Sequence, residues 1–268
     1  MKKRYLFLAI LIIVVGTALI AGAWSWYLDF KEADKSLSNI KKRGVLIVGS
    51  DIPYGAMEFF DENNQPAGVD VDVAKEIAAH LGVTLKFNDY NWDELFSKVK
   101  QGEIDLAMSS ITITPQRQKE LLFSDSYFSG GQVILVRSED SSIKGVNDLA
   151  GKKIAVQTDT TSYSEAKKYT SEDSILSYAD FSSSSGGGIV NDLKSEKFDA
   201  IIVDYIQALD LIKNDPQLKI VGVPFTQENY GTAMKVGNNL LAAKINSILK
   251  EIEADGHLQE IKTKWMRY

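Results

Sequence analysis

An arginine stands among hydroxyls in the segment Ser109-Ser110-Ile111-Thr112-Ile113-Thr114-Pro115-Gln116-Arg117. Thr114 has the character of a helix N-cap, and Pro115 suits the first helical position, where its missing N–H costs nothing. The pattern therefore predicts a helix with Arg117 in its first turn. A cation there has the wrong sign for the helix dipole. An anion held against the same N–H groups has the right one. A guanidinium grips a carboxylate through two parallel hydrogen bonds, and Ser110 and Thr112 offer neutral donors beside it. Carboxylate recognition is the chemistry implied. Asp204, far along the chain, offers the complementary charge for an ammonium group. An arginine and an aspartate on facing walls suit a zwitterion, above all a free α-amino acid. A direct Arg117–Asp204 salt bridge is the plain alternative.

Strand-like apolar runs alternate with helical spacing along most of the chain. Strands are expected at VLIVGS, TLKFND, IDLAMSS, KIAVQT, ILSYAD, DAIIVD and LKIVGV. Helices are expected at VAKEIAAHLG, WDELFSKVKQG, YSEAKKY, IVNDLKSEK and YIQALDLIKN, with one long helix from Asn239 to Met266. Such alternation predicts a mainly parallel sheet covered by helices. Gly82 and Gly102 are helix stops. Four strand runs break into polar residues at their C-terminal ends: Ser50 and Asp51; Ser109 and Ser110; Gln157 to Thr161; and Asp204. In open α/β sheets the crevice beyond those ends is where ligands bind.

Composition narrows the function classes. A net charge of −6 argues against nucleic acid as a partner. No cysteine is present, so disulfides, thiolate catalysis and Cys-based zinc sites are excluded. His80 and His257 lie in separate helical patterns and read as surface residues. Asp70 and Asp72 alternate with valines and read as one solvated face, not a metal pair. No cofactor or metal is implied. At the N-terminus Lys2, Lys3 and Arg4 precede a stretch, Tyr5 to Leu28, without charge. As a helix it would span on the order of 36 Å, enough for a bilayer core, and the leading charges place the body outside. Ala21-Gly22-Ala23 has signal-peptidase spacing, while Trp24, Trp26 and Tyr27 suit an interfacial belt. The uncleaved anchor is the reading adopted. Residues 1–28 are thus an anchor or signal, and 29–43 a polar linker ending in a helical turn. The Ser/Gly run at 182–188 is a flexible connection without phosphate-loop spacing.

From Gly44 to Trp265 the chain resembles the family 3 extracellular solute-binding proteins, the polar amino-acid receptors of ABC importers. GVDVDVAKEIAAHLG (68–82) resembles that family's signature segment, and SSITITPQRQKELLFSDSYF (109–128) its ligand-carboxylate motif. QTDTTSYSEA and KFDAIIVD are similar to the segments lining its second lobe. The resemblance implies a two-lobed, type II periplasmic-binding-protein fold, each lobe a mainly parallel sheet flanked by helices. It places the carboxylate-binding arginine at Arg117, with Ser110 and Thr112 beside it, and the ammonium-binding aspartate at Asp204; Ser109, at the same strand end, is counted with the ligand-binding residues. Thr160 or Thr161 would serve from the second lobe, Tyr54 would cover the ligand, and Trp92 would form a second aromatic wall. Asp51 would meet the ligand side chain. Met57 and Ala56 stand where relatives carry an aromatic and a proline. Asp159, read as an N-cap, replaces a usual glycine. Ala23 stands where a lipid-attachment cysteine would be, so lipid anchoring is not expected.

The resemblance divides the lobes into 44–128 with 230–268, and 132–226, joined by hinges near 128–132 and 226–230 whose glycines 130, 131 and 231 would absorb rotation. It implies a monomer that binds a free amino acid, basic or polar in side chain, and delivers it to an ABC permease at the outer face of the membrane. A sensing domain is the alternative reading. A dehydratase acting on cyclohexadienyl acids is a lesser one, for which Glu165 and Glu58 are the candidate acids or bases; Glu58 itself falls in a hairpin. Trp265 reads as the anchor of the terminal helix.

Overall fold

The computed structural model describes residues 34–179 and 188–266. The apolar segment 1–28, the first part of the linker and all of the Ser/Gly run but Gly188 lie outside the described residues. Among the described residues no helix is long and apolar enough to cross a membrane.

Helix α1 (Ser36–Arg43) opens the body and carries Lys41, Lys42 and Arg43 in its last turn, where the dipole favours cations. Its Ile40 is buried in the first lobe's core, so this end of the linker is docked. There follow β1 (Val45–Ser50), β2 (Phe59–Phe60), β3 (Pro66–Ala67), α2 (Val69–Leu81), β4 (Thr84–Asp89), α3 (Trp92–Gln101), β5 (Leu106–Ala107) and β6 (Leu122–Phe123). The chain then crosses through β7 (Phe128–Gly130) into β8 (Gln132–Arg137), β9 (Ile154–Gln157), α4 (Thr161–Ala166), β10 (Ile175–Tyr178), α5 (Gly188–Lys194), β11 (Ala200–Asp204), α6 (Tyr205–Asn214) and β12 (Leu218–Val221). It returns through β13 (Glu228–Tyr230) to β14 (Ala233–Met234), α7 (Asn239–Ala254) and α8 (His257–Trp265).

Two five-stranded sheets result, ordered β4-β1-β5-β14-β6 and β10-β9-β11-β8-β12. In each, three neighbouring strands run parallel: β1 between β4 and β5, and β9 between β10 and β11. One strand in each sheet, β14 in the first and β8 in the second, runs against its neighbours, and each is the strand that enters from the other lobe. The fold is the expected two-lobed α/β arrangement. Side chains alternate along the second sheet, Val133 and Leu135 packing with Ile201 and Val203 on one face, Ile134 and Val136 with Ala200 and Ile202 on the other. Both faces are covered, which is why these strands read as unbroken apolar runs. In the first lobe α2, α7 and α8 cover one face of β1 through Leu46 and Val48, and α3 covers the other with Leu95 and Val99.

The crossing strands β7 and β13 pair antiparallel between the lobes. Gly130 and Gly131 do not adopt left-handed backbone here. They are required by close approach: a Cβ on Gly131 would collide with the Thr226 carbonyl, and one on Gly130 with the Tyr230 hydroxyl.

Three expectations are corrected. The strand foreseen across IDLAMSS shrinks to Leu106–Ala107, since the chain turns at Ser110, whose φ is 50°. The long C-terminal helix is broken at Gly256, whose φ is 90°. Asp70 and Asp72 share no solvated face: they lie in the first turn of α2, and Asp70 is wholly buried. Gly82 and Gly102 do end their helices in left-handed conformation. Trp265 packs edge-on against Phe59 and donates to Asp72 at 2.8 Å, as a terminal anchor would.

Candidate functional site

The polar strand ends of both sheets meet at a narrow, largely enclosed cavity between the lobes. All ten residues singled out from the sequence line it. Asp51 and Tyr54 follow β1, Trp92 opens α3, and Ser109, Ser110 and Thr112 follow β5. Thr160 and Thr161 begin α4, and Asp204 closes β11. Gln132, Gln157 and Ser162 complete the lining. Nothing in the spacing around Gln132 or Ser162 marks them; only Gln157 lay in one of the polar strand ends.

Arg117 sits in a single 3-10 turn, Arg117–Lys119, and not in the first turn of an α-helix. The dipole argument for its anion therefore loses most of its weight. Thr114 still caps the turn: its Oγ1 accepts from the Arg117 backbone N–H at 3.1 Å. The guanidinium lies against Trp92 and Phe96, its Cζ 5.3 and 5.4 Å from the ring centroids. Its Nη1 donates to the Thr112 carbonyl at 3.0 Å and its Nη2 to the Asp159 carbonyl at 3.3 Å. Among the described residues Arg117 makes no ion pair, so the direct salt bridge to Asp204 is not formed. Burial lowers the Arg117 pKa, opposed by Glu228, Asp204 and Asp159; an arginine stays charged even so.

Asp204, in the other lobe, accepts from the Tyr54 hydroxyl at 2.8 Å and from the Gln132 amide. Burial, then the charge of Glu228, pushes its carboxyl up to about 7, with the Tyr54 and Tyr230 hydroxyls and Arg117 opposing. Lobe meets lobe at further points. Trp92 Nε1 donates to the Asp159 carbonyl at 3.4 Å, and Gln157 Nε2 to Asp51 Oδ2 at 3.4 Å.

Asp159 is not the N-cap; Thr160 holds that position, its Oγ1 donating to the Gln157 carbonyl at 2.7 Å. Asp159 instead takes the left-handed backbone, φ 56°, that a glycine would supply, and so presents its carbonyl to Arg117 and Trp92. Replacing Asp159 by glycine is expected to relieve that strain and stabilise the protein by up to about 1 kcal/mol, after the offset for glycine's freer unfolded chain. A melting curve checks this; a lower melting temperature would refute it.

Beneath the first-lobe wall lies a buried carboxyl pair that the sequence reading did not assign to the site. Glu58 accepts from Ser109 Oγ at 2.8 Å, and Asp70 accepts from the Ser110 N–H and the Tyr127 hydroxyl, both at 2.8 Å. Burial, with Asp70 next, raises Glu58; burial raises Asp70 to about 6. The pair fixes Ser109 and Ser110 from behind and does not line the cavity. Glu165, the other candidate acid, pairs with Lys168 at 2.6 Å, likewise away from the lining. Among the described residues no cluster could hold a metal ion.

The family model of bacterial extracellular solute-binding proteins, family 3, matches residues 46–268. The chain belongs to that family. Among curated relatives, this solute-binding protein is 31% identical over 269 residues to the L-cystine-binding protein TcyJ of Escherichia coli, covering 99% of this chain and 97% of that one. It is 31% identical to the arginine-binding extracellular protein ArtP of Bacillus subtilis, over 82% of this chain and 85% of that one. Among solved structures, an ancestral arginine-binding protein bound to arginine is 38% identical, with a TM-score of 0.77, over 84% of this chain and 99% of that one.

Proposed function

We propose that this protein captures a free α-amino acid between its lobes, outside the cytoplasmic membrane, and hands it to the permease of an ABC importer. One observation carries the reading: the Arg117 guanidinium and the Asp204 carboxyl, on opposite lobes, line one cavity, and each is bonded to neutral groups and not to the other. An α-carboxylate on the first and an α-ammonium on the second would satisfy both and draw the lobes together. Closure then follows from differential contact, since only the closed state brings both partners to the ligand. The relatives named for cystine and arginine binding support this class.

A cationic side chain is favoured among the amino acids. Asp51, Asp204 and nearby Glu228 outnumber Arg117 at the cavity. A neutral zwitterion leaves that excess uncompensated in a partly dry site, where charge counts most. Tyr54 and Trp92 would flank a guanidinium or aliphatic stem. The two candidate acids of a dehydratase, Glu58 and Glu165, lie outside the cavity lining, which supports binding over catalysis. The uncharged stretch from Tyr5 to Leu28 is proposed to hold the protein, as a monomer, at the outer membrane face.

A thermal-shift screen against the free amino acids tests the reading. A ligand at a hundred times its dissociation constant stabilises by about 2.7 kcal/mol. Arginine or lysine is expected to give the largest shift. If no amino acid raises the melting temperature, the proposal fails.

A further inference from the structure

Glu228 is the charged residue at the site that neither the sequence pattern nor the cavity lining picks out. It begins β13, one of the two crossing strands, and is buried. Its Oε2 accepts from Thr112 Oγ1 at 2.6 Å, in the first lobe, and from Thr161 Oγ1 at 3.0 Å, in the second. Oε1 accepts from Gln132 Nε2 at 3.1 Å and weakly from Thr226 Oγ1 at 3.5 Å. One carboxyl group thus ties both walls to the crossover.

The orientation of these bonds has a chemical consequence. A threonine hydroxyl owns one proton. Thr112 and Thr161 both give theirs to Glu228, so the lone pairs are what remain for the cavity that both residues line. Thr161 Oγ1 also lies 3.3 Å from Gln132 Nε2, but the two protons of that amide go to the nearer Asp204 and Glu228, so the Thr161 lone pairs stay open to the cavity. The Gln132 amide is itself fixed. Its Oε1 accepts from Ser162 Oγ at 2.7 Å, so its NH2 faces Asp204 and Glu228. The Thr112 hydroxyl, which its residue type alone offered as a donor to a carboxylate, is turned into an acceptor, and the Thr161 hydroxyl with it. Together with Asp204 they make a wall that receives N–H groups only, and the anion is left to Arg117.

We infer that Glu228 is a positioning residue that commits the threonine wall to a ligand amine and ties that commitment to lobe closure at the crossover. The inference rests on the amino-acid reading above and deepens it: the ligand must carry a primary α-amine, and an analogue lacking only that amine is rejected.

The test uses L-arginine and its desamino analogue, 5-guanidinopentanoate, with binding followed by calorimetry on the full chain. The unmodified protein is expected to prefer arginine by at least about a hundredfold, because a site built of acceptors is left unpaired by the analogue. Glu228→Gln keeps the shape but adds an NH2 donor, which frees a threonine proton to point inward. The preference should fall below about tenfold. Thr161→Val removes one acceptor and its bond to Glu228 but leaves the Glu228 carboxylate and its bonds from Thr112 and Gln132 in place, and should lower the preference in the same direction; it decides the matter if Glu228→Gln does not fold. A merely structural role for Glu228 would weaken both ligands in proportion, and an unchanged preference in both variants overturns the inference alone. If the unmodified protein binds neither compound, the cationic amino-acid reading falls and this inference with it.

Discussion

Arg117→Ala is expected to weaken amino-acid binding by about 2–4 kcal/mol, roughly 30- to 1,000-fold, while the protein stays folded. On the proposed reading, the lost contact is a charge-assisted, two-pronged bond to the ligand carboxylate. A smaller part of the loss comes from closure itself, because the same guanidinium reaches the Asp159 carbonyl across the lobes. The fold should survive, since Arg117 is half-buried, lies on a single turn and supports no ion pair. Its removal does uncover faces of Trp92 and Phe96, worth about 1 kcal/mol of cation–π contact at most. Arg117→Lys separates charge from geometry. A lysine keeps the charge but not the planar fork, so it should recover only part of the affinity. Calorimetric titration with arginine measures all three proteins. Binding by the alanine variant within threefold of the unmodified protein would refute the carboxylate assignment.

The sequence showed most of this site because its parts sit where elements end. Asp51, Ser109, Ser110 and Asp204 each stop an apolar run, and a polar residue there is visible without any coordinates. Arg117 was legible for a reason that proved partly mistaken. Its neighbours Thr114 and Pro115 are good helix-start residues, but the turn they begin lasts only from Arg117 to Lys119. The cap was real and the dipole was not. What stayed hidden depends on contacts between distant segments. Gln132 and Glu228 lie far apart in sequence and meet only because β7 and β13 cross side by side. Asp70 misled because two valines flank it; alternation over so short a span fits one turn of helix as well as a strand. Its burial is bought by the Ser110 N–H and the Tyr127 hydroxyl, which no local pattern announces. Asp159 has the residue type of a cap, but the left-handed backbone it adopts is a property of the turn that carries it.

Asp204→Asn should separate function from stability in opposite directions. In the folded protein without ligand, burial and then Glu228 raise this carboxyl to about 7, from an ordinary value of 3.8. A raised carboxyl makes the folded state hold a proton that the unfolded chain has released. Between pH 4 and pH 7, stability therefore falls as pH rises, and above pH 7 the whole cost is present. At about 1.4 kcal/mol per unit the cost reaches at most about 4 kcal/mol. Asparagine carries no charge and can still accept from Tyr54, so the variant should be more stable than the unmodified protein at pH 8, by about 1–3 kcal/mol. That advantage should vanish toward pH 4. Binding moves the other way: without a carboxylate the ligand ammonium loses a charged partner, and affinity should drop by about 2–4 kcal/mol. Proton linkage supplies a second readout. Near pH 6 an arriving ammonium must displace the proton on Asp204, so binding releases close to one proton, and affinity rises with pH up to about 7 and levels off above it. Calorimetry in two buffers of different ionisation enthalpy detects that release, and the asparagine variant should abolish it. A variant that is less stable at pH 8 and still binds, more weakly, with proton release unchanged would show that Asp204 holds the structure and not the amine.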